Sequence, residues 1–266
     1  MTTWLERGLM GLVNLCLALL PRRRPSPQAL LECKIISHRG EHDNRQIFEN
    51  TLAAFDAPAE AGCWGLEFDV RWTRDLQPVV VHDTDAQRVF GSDLVIAEAS
   101  LQELRQSIPA IPTLQEVVER FGGRQHLMVE LKRDELGAST ERALRLRDIF
   151  AALAPVTDYH FLALQPDLFE LVEFAGNPAC LPVAEFNVGE ISRIATTRGF
   201  GGVCAQYLLL SRRLIERHHR LGQQLGSGFA ASRYGLYREL NRGVDWVFTN
   251  HALRLESIRQ RALRQR

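Results

Sequence analysis

The sequence has no excess charge of either sign. Its 32 Lys and Arg residues balance 32 Asp and Glu, so no bulk attraction draws it to nucleic acid. It has few cysteines, and none of Cys16, Cys33, Cys63, Cys180 and Cys204 forms a Cys-x-x-Cys pair. An odd, scattered set of thiols argues against a disulfide framework or a zinc site and for small buried side chains in a reducing compartment. The apolar run from Leu9 to Leu20 falls short of the ~20 residues a spanning helix needs. There is no low-complexity segment and no close internal repeat.

That short apolar run nevertheless stands out. On a helix, Thr3, Arg7, Gly11, Asn14 and Ala18 form one narrow small or polar stripe, and leucines cover most of the rest. Pro21 closes the run and Arg22-Arg23-Arg24 follows, the reverse of the charge order in a signal peptide. Two readings stand. The helix lies in a membrane interface with the arginines on anionic headgroups, or it packs under the main domain. The first places the protein in the cytoplasm, peripheral to the inner face of the membrane. Residues 1–28 are read as this amphipathic helix and its basic linker, and 29–266 as one domain.

After the linker, short apolar runs alternate with amphipathic segments. Setting aside the extra strand "PVVVHD", eight strand–helix repeats follow, from Ile35-Ile36 to "VDWVFTN" and a final helix near Ala252. Repeated strand–helix units force parallel strands with right-handed crossovers. Eight of them give an α/β TIM (β/α)8 barrel, although counting alone also allows an open doubly wound sheet.

In a barrel the chemistry gathers at the C-terminal ends of the strands. Those ends carry His38-Arg39, Glu67-Phe68-Asp69, His82-Asp83 and Glu130-Leu131-Lys132. Glu67 and Asp69 stand at i and i+2 and therefore share a strand face; Glu130 can join them from a neighbouring strand. Three clustered carboxylates repel, a conflict that a hard divalent cation, Mg²⁺ or Ca²⁺, removes. Two histidines beside it, His38 and His82, suit general acid–base work. The planar fork of Arg39 matches phosphate oxygens. Together these residues read as phosphodiester chemistry. Glu49 is either a carboxylate on the metal side of the site or a helix N-terminal charge; Asn50 fixes either a loop or a ligand.

The ordered set His38-Arg39-Gly40, Glu49-Asn50-Thr51, Glu67-Phe68-Asp69-Val70, Thr73-Arg74-Asp75, Val79 to Asp83, Ile111 to Leu114 and Glu130-Leu131-Lys132 resembles the glycerophosphodiester phosphodiesterase family, from about Ile35 to Val247. The resemblance implies a TIM barrel and metal-dependent hydrolysis of glycerophosphodiesters to sn-glycerol 3-phosphate and an alcohol. It implies His38 and His82 as the acid–base pair, Glu67, Asp69 and Glu130 as metal ligands, and Arg39 and Lys132 facing the phosphate. Beside that, Glu49 and Asn50 are candidates for binding substrate or phosphate. Three features depart from the family pattern. Phe48 stands where proline is common, and Phe229 where tryptophan is common. The stretch from Thr84 to Ile111 is short, leaving little or no cap insertion. A trimmed cap would admit bulkier substrates, so a lysophospholipase D acting on lysophospholipids is the alternative, and an inactive lipid-binding barrel a third.

Overall fold

The computed structural model describes residues 18–135 and 139–265; most of the expected N-terminal amphipathic helix lies outside the described residues. The sheet holds nine strands: β1 Lys34–His38, β2 Gly65–Trp72, β3 Pro78–Val80, β4 His126–Leu131, β5 Tyr159–Ala163, β6 Cys180–Ala184, β7 Gly202–Gln206, β8 Gln224–Gly228 and β9 Trp246–Thr249. Eight of them pair in parallel, and β1 bonds to both β2 and β9, which closes the barrel. The remaining strand, β3, is antiparallel to the end of β2 and lies outside the ring. This settles the barrel against the open sheet that strand counting also allowed.

The helices are α1 Pro27–Leu31, α2 Leu52–Glu60, α3 Gln87–Phe90, α4 Leu101–Ser107, α5 Leu114–Phe121, α6 Thr140–Ile149, α7 Val188–Arg198, α8 Arg212–Arg220, α9 Arg233–Arg242 and α10 Ala252–Arg264. Their starts follow local chemistry. Thr51 caps α2 by accepting from the Ala54 amide. Thr113 and Glu116 form a reciprocal capping box on α5, which satisfies two amides that have no intrahelical acceptor. Helix α1 begins inside the stretch read as a linker: Ser26 caps it, and Leu30 is buried in the core.

One element differs from the sequence reading, and a second is filled in by the structure. The segment after β5, which reads as an α-helix, is instead a kinked 3-10 run over Pro166–Ala175. Its buried side chains, Leu168, Phe169, Leu171, Val172 and Ala175, stand at spacings of three and four, which a 3-10 run and an α-helix both place on one face. The stretch after β3, read as too short for a full cap, holds a small insertion. It comprises α3, a 3-10 turn at Ile96–Glu98 and α4, packed on a separate apolar cluster of Val79, Val81, Ala86, Ile96, Leu104, Ile108 and Ile111.

The large core lies between strands and helices. Inside the ring, Ile36, Met128, Leu162, Leu181, Cys204, Trp246 and Phe248 form a second apolar cluster. The described cysteines, Cys33, Cys63, Cys180 and Cys204, are all free and buried. Burial pushes the thiols of Cys33, Cys63 and Cys180 up to about 12, so these thiols are inert packing groups.

At the end of β1 the chain turns sharply through two left-handed residues, Arg39 at φ +59 and Gly40 at φ +81. A Cβ on Gly40 would meet the Cβ and carbonyl oxygen of Ala54 at 2.6 Å. Gly40→Ala is therefore expected to destabilise the fold by about 2 kcal/mol or more, because both the backbone angle and the contact oppose it. Urea unfolding of the two proteins checks this; an unchanged midpoint would contradict the turn geometry.

Candidate active site

The parallel register sets Asp69 on β2 beside Glu130 on β4. Glu67 sits two residues before Asp69, on the same face. One oxygen from each of Glu67, Asp69 and Glu130 lies within 4.8 Å of the others. Glu67 and Asp69 are fully buried, with the apolar ring cluster beneath them. Water cannot screen the charges there, so they must be neutralised locally.

Two cations meet that need. Lys132 Nζ is 2.8 Å from Asp69 Oδ1 and 2.5 Å from Glu130 Oε1. Arg39 Nε is 3.0 Å from Asp69 Oδ2, and its Nη1 is 3.0 Å from Glu49 Oε1. Burial would raise the Asp69 pKa, but Lys132 and Arg39 overcome it and hold the group well below the usual carboxylate range. Glu67 goes the other way. Burial and then the charges of Asp69 and Glu130 raise its pKa well above the usual value. Its Oε2 accepts from the Arg39 amide at 3.2 Å, while Oε1 is buried without a hydrogen-bond partner. An orphaned buried carboxylate oxygen, converging with two further carboxylates, fits a hard divalent cation with oxygen ligands.

Each histidine is oriented by a different partner. His38 Nδ1 lies 2.6 Å from Asn250 Oδ1, its ring packs against Phe229 with centroids 4.6 Å apart, and its Nε2 is 3.7 Å from Glu67 Oε2. Burial and the neighbouring Arg39 lower its pKa to about 3, so the ring is neutral near pH 7. His82 Nδ1 lies 2.7 Å from Asp83 Oδ1. Both histidines are close enough to Asp69 that a proton on either ring would favour the ionised carboxylate.

The structure thus brings together His38, His82, Arg39, Lys132, Glu67, Asp69 and Glu130. Glu49 and Asn50 come to the same place but are engaged by the protein itself. Both precede α2 rather than opening it, so the helix N-terminal reading of Glu49 gives way to a different role. Glu49 is buried and accepts from Arg39, Asn44 and both terminal nitrogens of Arg88. These partners outweigh burial and hold it down to about 2. Asn50 is buried too: its Nδ2 donates to Asp69 Oδ2 at 2.8 Å, and its Oδ1 accepts from the Asp69 amide at 3.3 Å. The φ of +60 at Asn50 suits an asparagine.

Two residues of the constellation were not singled out from sequence. Arg88 links Glu49 to Asp83, which its Nε reaches at 2.5 Å. It stands on α3, in the insertion, where an arginine in a polar run looks like a solvated charge. Asn250 follows the last strand, and nothing in the Thr249-Asn250 pair alone points 212 residues back to His38. Arg88→Ala is expected to leave buried Glu49 short of two donors. A loss of roughly 1–2 kcal/mol follows, reduced by solvent at the half-open Arg88 side. Arg88→Lys should not restore it, since one ammonium cannot reproduce the paired contacts. Urea denaturation of the three proteins measures both, and full recovery by lysine would show that charge alone matters.

Comparison with known proteins gives a consistent result. Residues 38–158 match the model of the glycerophosphoryl diester phosphodiesterase family. The chain is 34% identical over 110 residues to the glycerophosphodiester phosphodiesterase of Caldanaerobacter subterraneus, covering 37% of this chain and 44% of the relative. It is 34% identical over 97 residues to the rat glycerophosphodiester phosphodiesterase 1, covering 31% and 28%. The matches therefore span less than half the length of these curated relatives. Among solved structures, the Thermotoga maritima glycerophosphodiester phosphodiesterase superposes with a TM-score of 0.72 at 24% identity, covering 85% of this chain and 98% of that one. A phosphodiesterase from Oleispira antarctica, solved with the product sn-glycerol-3-phosphate, gives 0.70 at 20% identity over 85% and 96%. These two likenesses establish the fold. The family match begins at His38, the first residue of the cluster, and runs through every side chain described above except Phe229 and Asn250; over residues 38–158, less than half of its length, this chain is similar to the glycerophosphoryl diester phosphodiesterase family.

Proposed function

We propose that the protein is a phosphoric diester hydrolase that cleaves glycerophosphodiesters to sn-glycerol 3-phosphate and an alcohol. The observation that carries this reading is the convergence of three carboxylates, two oriented histidines and two cations at one barrel mouth. The hydrolytic unit is the barrel, residues 29–266. Glu67, Asp69 and Glu130 would hold Mg²⁺ or Ca²⁺, which when bound supplies charge stabilisation to the non-bridging phosphate oxygens. Arg39 and Lys132, already fixed by carboxylates, present their remaining donors to the same oxygens.

The geometry suggests a division of labour between the histidines. Neutral His38 can donate from Nδ1 to Asn250 Oδ1, which leaves the Nε2 lone pair on the Glu67 side of the ring. That nitrogen is placed to take the proton of the attacking group, either water or the neighbouring glycerol hydroxyl. Attack by the hydroxyl would pass through a cyclic phosphate. His82, its Nδ1 turned to Asp83, would give a proton from Nε2 to the leaving alcohol.

Turnover of glycerophosphocholine, with and without EDTA, tests the reading. Chelation should abolish activity, and Mg²⁺ or Ca²⁺ should restore it. Glu67→Gln or Asp69→Asn should remove activity and weaken cation binding. Full activity of metal-free protein would sink the metal-dependent reading. His38→Ala and His82→Ala should each lower kcat by about 10²–10⁴-fold in folded protein. A variant of either with near-normal kcat removes that residue from the mechanism. A second reading, hydrolysis of lysophospholipids, draws on the apolar side chains beyond β1, β6 and β7: Phe186 is 89% exposed, and Ile47 and Leu208 are also exposed. Faster turnover of lysophosphatidylcholine than of glycerophosphocholine would favour it.

A further inference from the structure

Each barrel helix runs back against its strand, so helix C-termini gather at the end opposite the mouth. On one side that end is strongly basic. Arg198 closes α7, Arg220 closes α8, and Arg261 and Arg264 lie in the last turn of α10. All are exposed. Arg22 and Arg23 join them, also exposed, because Asn241 Nδ2 donates to the Arg23 carbonyl at 2.7 Å and Arg24 donates to the carbonyl of Ala262. Among the described residues, none of these six arginines is paired with a carboxylate. Of the acids on this side, Asp245 meets His219 and Glu256 meets Arg259, while Glu32 keeps its charge beside the neutral Gln28 amide.

Helix dipoles account for part of this pattern, since a cation in a last turn is favourable by ~0.3–1 kcal/mol. They do not account in the same way for Arg22 and Arg23, which lie outside the helix, past its last helical residue Leu19. Nor do they account for Leu19 and Leu20, which precede the arginines at 70% and 51% exposure. Exposed leucines beside unpaired arginines are what an anionic bilayer binds: apolar side chains enter the headgroup boundary while cations meet phosphate charge. With a net charge of zero for the whole chain, this concentration at one end must orient the molecule.

We propose that this end of the barrel docks on an anionic phospholipid bilayer and turns the barrel mouth toward water. Glu67, Asp69 and Glu130 stand near the opposite end of the strands, so substrate would reach the mouth from the aqueous side.

The test is sedimentation of the full chain with vesicles of phosphatidylcholine alone or mixed with phosphatidylglycerol. The expected result is binding that requires phosphatidylglycerol and weakens at high salt. The combined substitutions Arg198→Glu, Arg220→Glu and Arg264→Glu should weaken that binding by about tenfold or more. Arg213→Glu with Arg254→Glu reverses charge on the mouth-side turns of α8 and α10 and should leave binding within about twofold. If the triple variant fails to fold, the single substitutions Arg220→Glu and Arg264→Glu should each weaken binding by a few-fold. Equal sedimentation of wild-type and basic-end variants overturns the proposal. So does an equal loss in the mouth-side variant, salt-insensitive binding, or binding to an oligonucleotide with none to vesicles. The readout is sedimentation, so its failure is distinct from failure of the hydrolase reading.

Discussion

Three carboxylates packed into the dry end of a barrel cannot stay together unless something neutralises them. Much of the local structure answers that constraint. Lys132 lies between Asp69 and Glu130, and Arg39 bridges Asp69 and Glu49. Asn50 holds Asp69 from a second side. The left-handed turn at Arg39 is maintained because its amide donates both to the carbonyl oxygen and to the side chain of Glu67. That turn costs of order 1–2 kcal/mol for a non-glycine residue, and its backbone geometry, not the strain, sends the guanidinium to Asp69 and Glu49.

The network continues outward. Glu49 hands the charge balance from Arg39 to Arg88, and Arg88 reaches Asp83, the partner of His82. A small insertion with its own apolar cluster therefore does more than shorten a cap. It carries the cation that couples the loop after β1 to the segment after β3, so the orientation of His82 depends on the packing of α3. His38 depends on a different element, the end of β9, through Asn250. The two rings are held by opposite sides of the barrel.

Much of this was legible in the sequence. Apolar runs and their spacing identified the barrel strands, because a parallel strand buried on both faces needs a near-continuous apolar run; β8, with Leu225 its one large apolar side chain, gave the weakest signal. The i, i+2 spacing of Glu67 and Asp69 was enough to aim both at one point. The helix after β5 was misread as α because a ten-residue apolar segment looks alike at spacing 3 and 3.6, and tertiary packing decided between them. The sequence left Glu49 and Asn50 between a ligand and the protein itself; in the structure their acceptors and donors are turned to Arg39, Arg88 and Asp69. A residue type next to a motif does not disclose which neighbour it will meet.

The sequence by itself determined what depends on local order: strand and helix periods, the caps at Thr51 and Thr113, the need for glycine at position 40, and the set of groups delivered to the strand ends. Only the tertiary structure decided what depends on closure. Pairing β1 with both β2 and β9 brings Asn250 onto His38 and gathers arginines from four separate segments at the far end. These contacts join residues far apart in the chain, and no local pattern encodes them. They exist because the ring closes in one register and each helix returns to the same end.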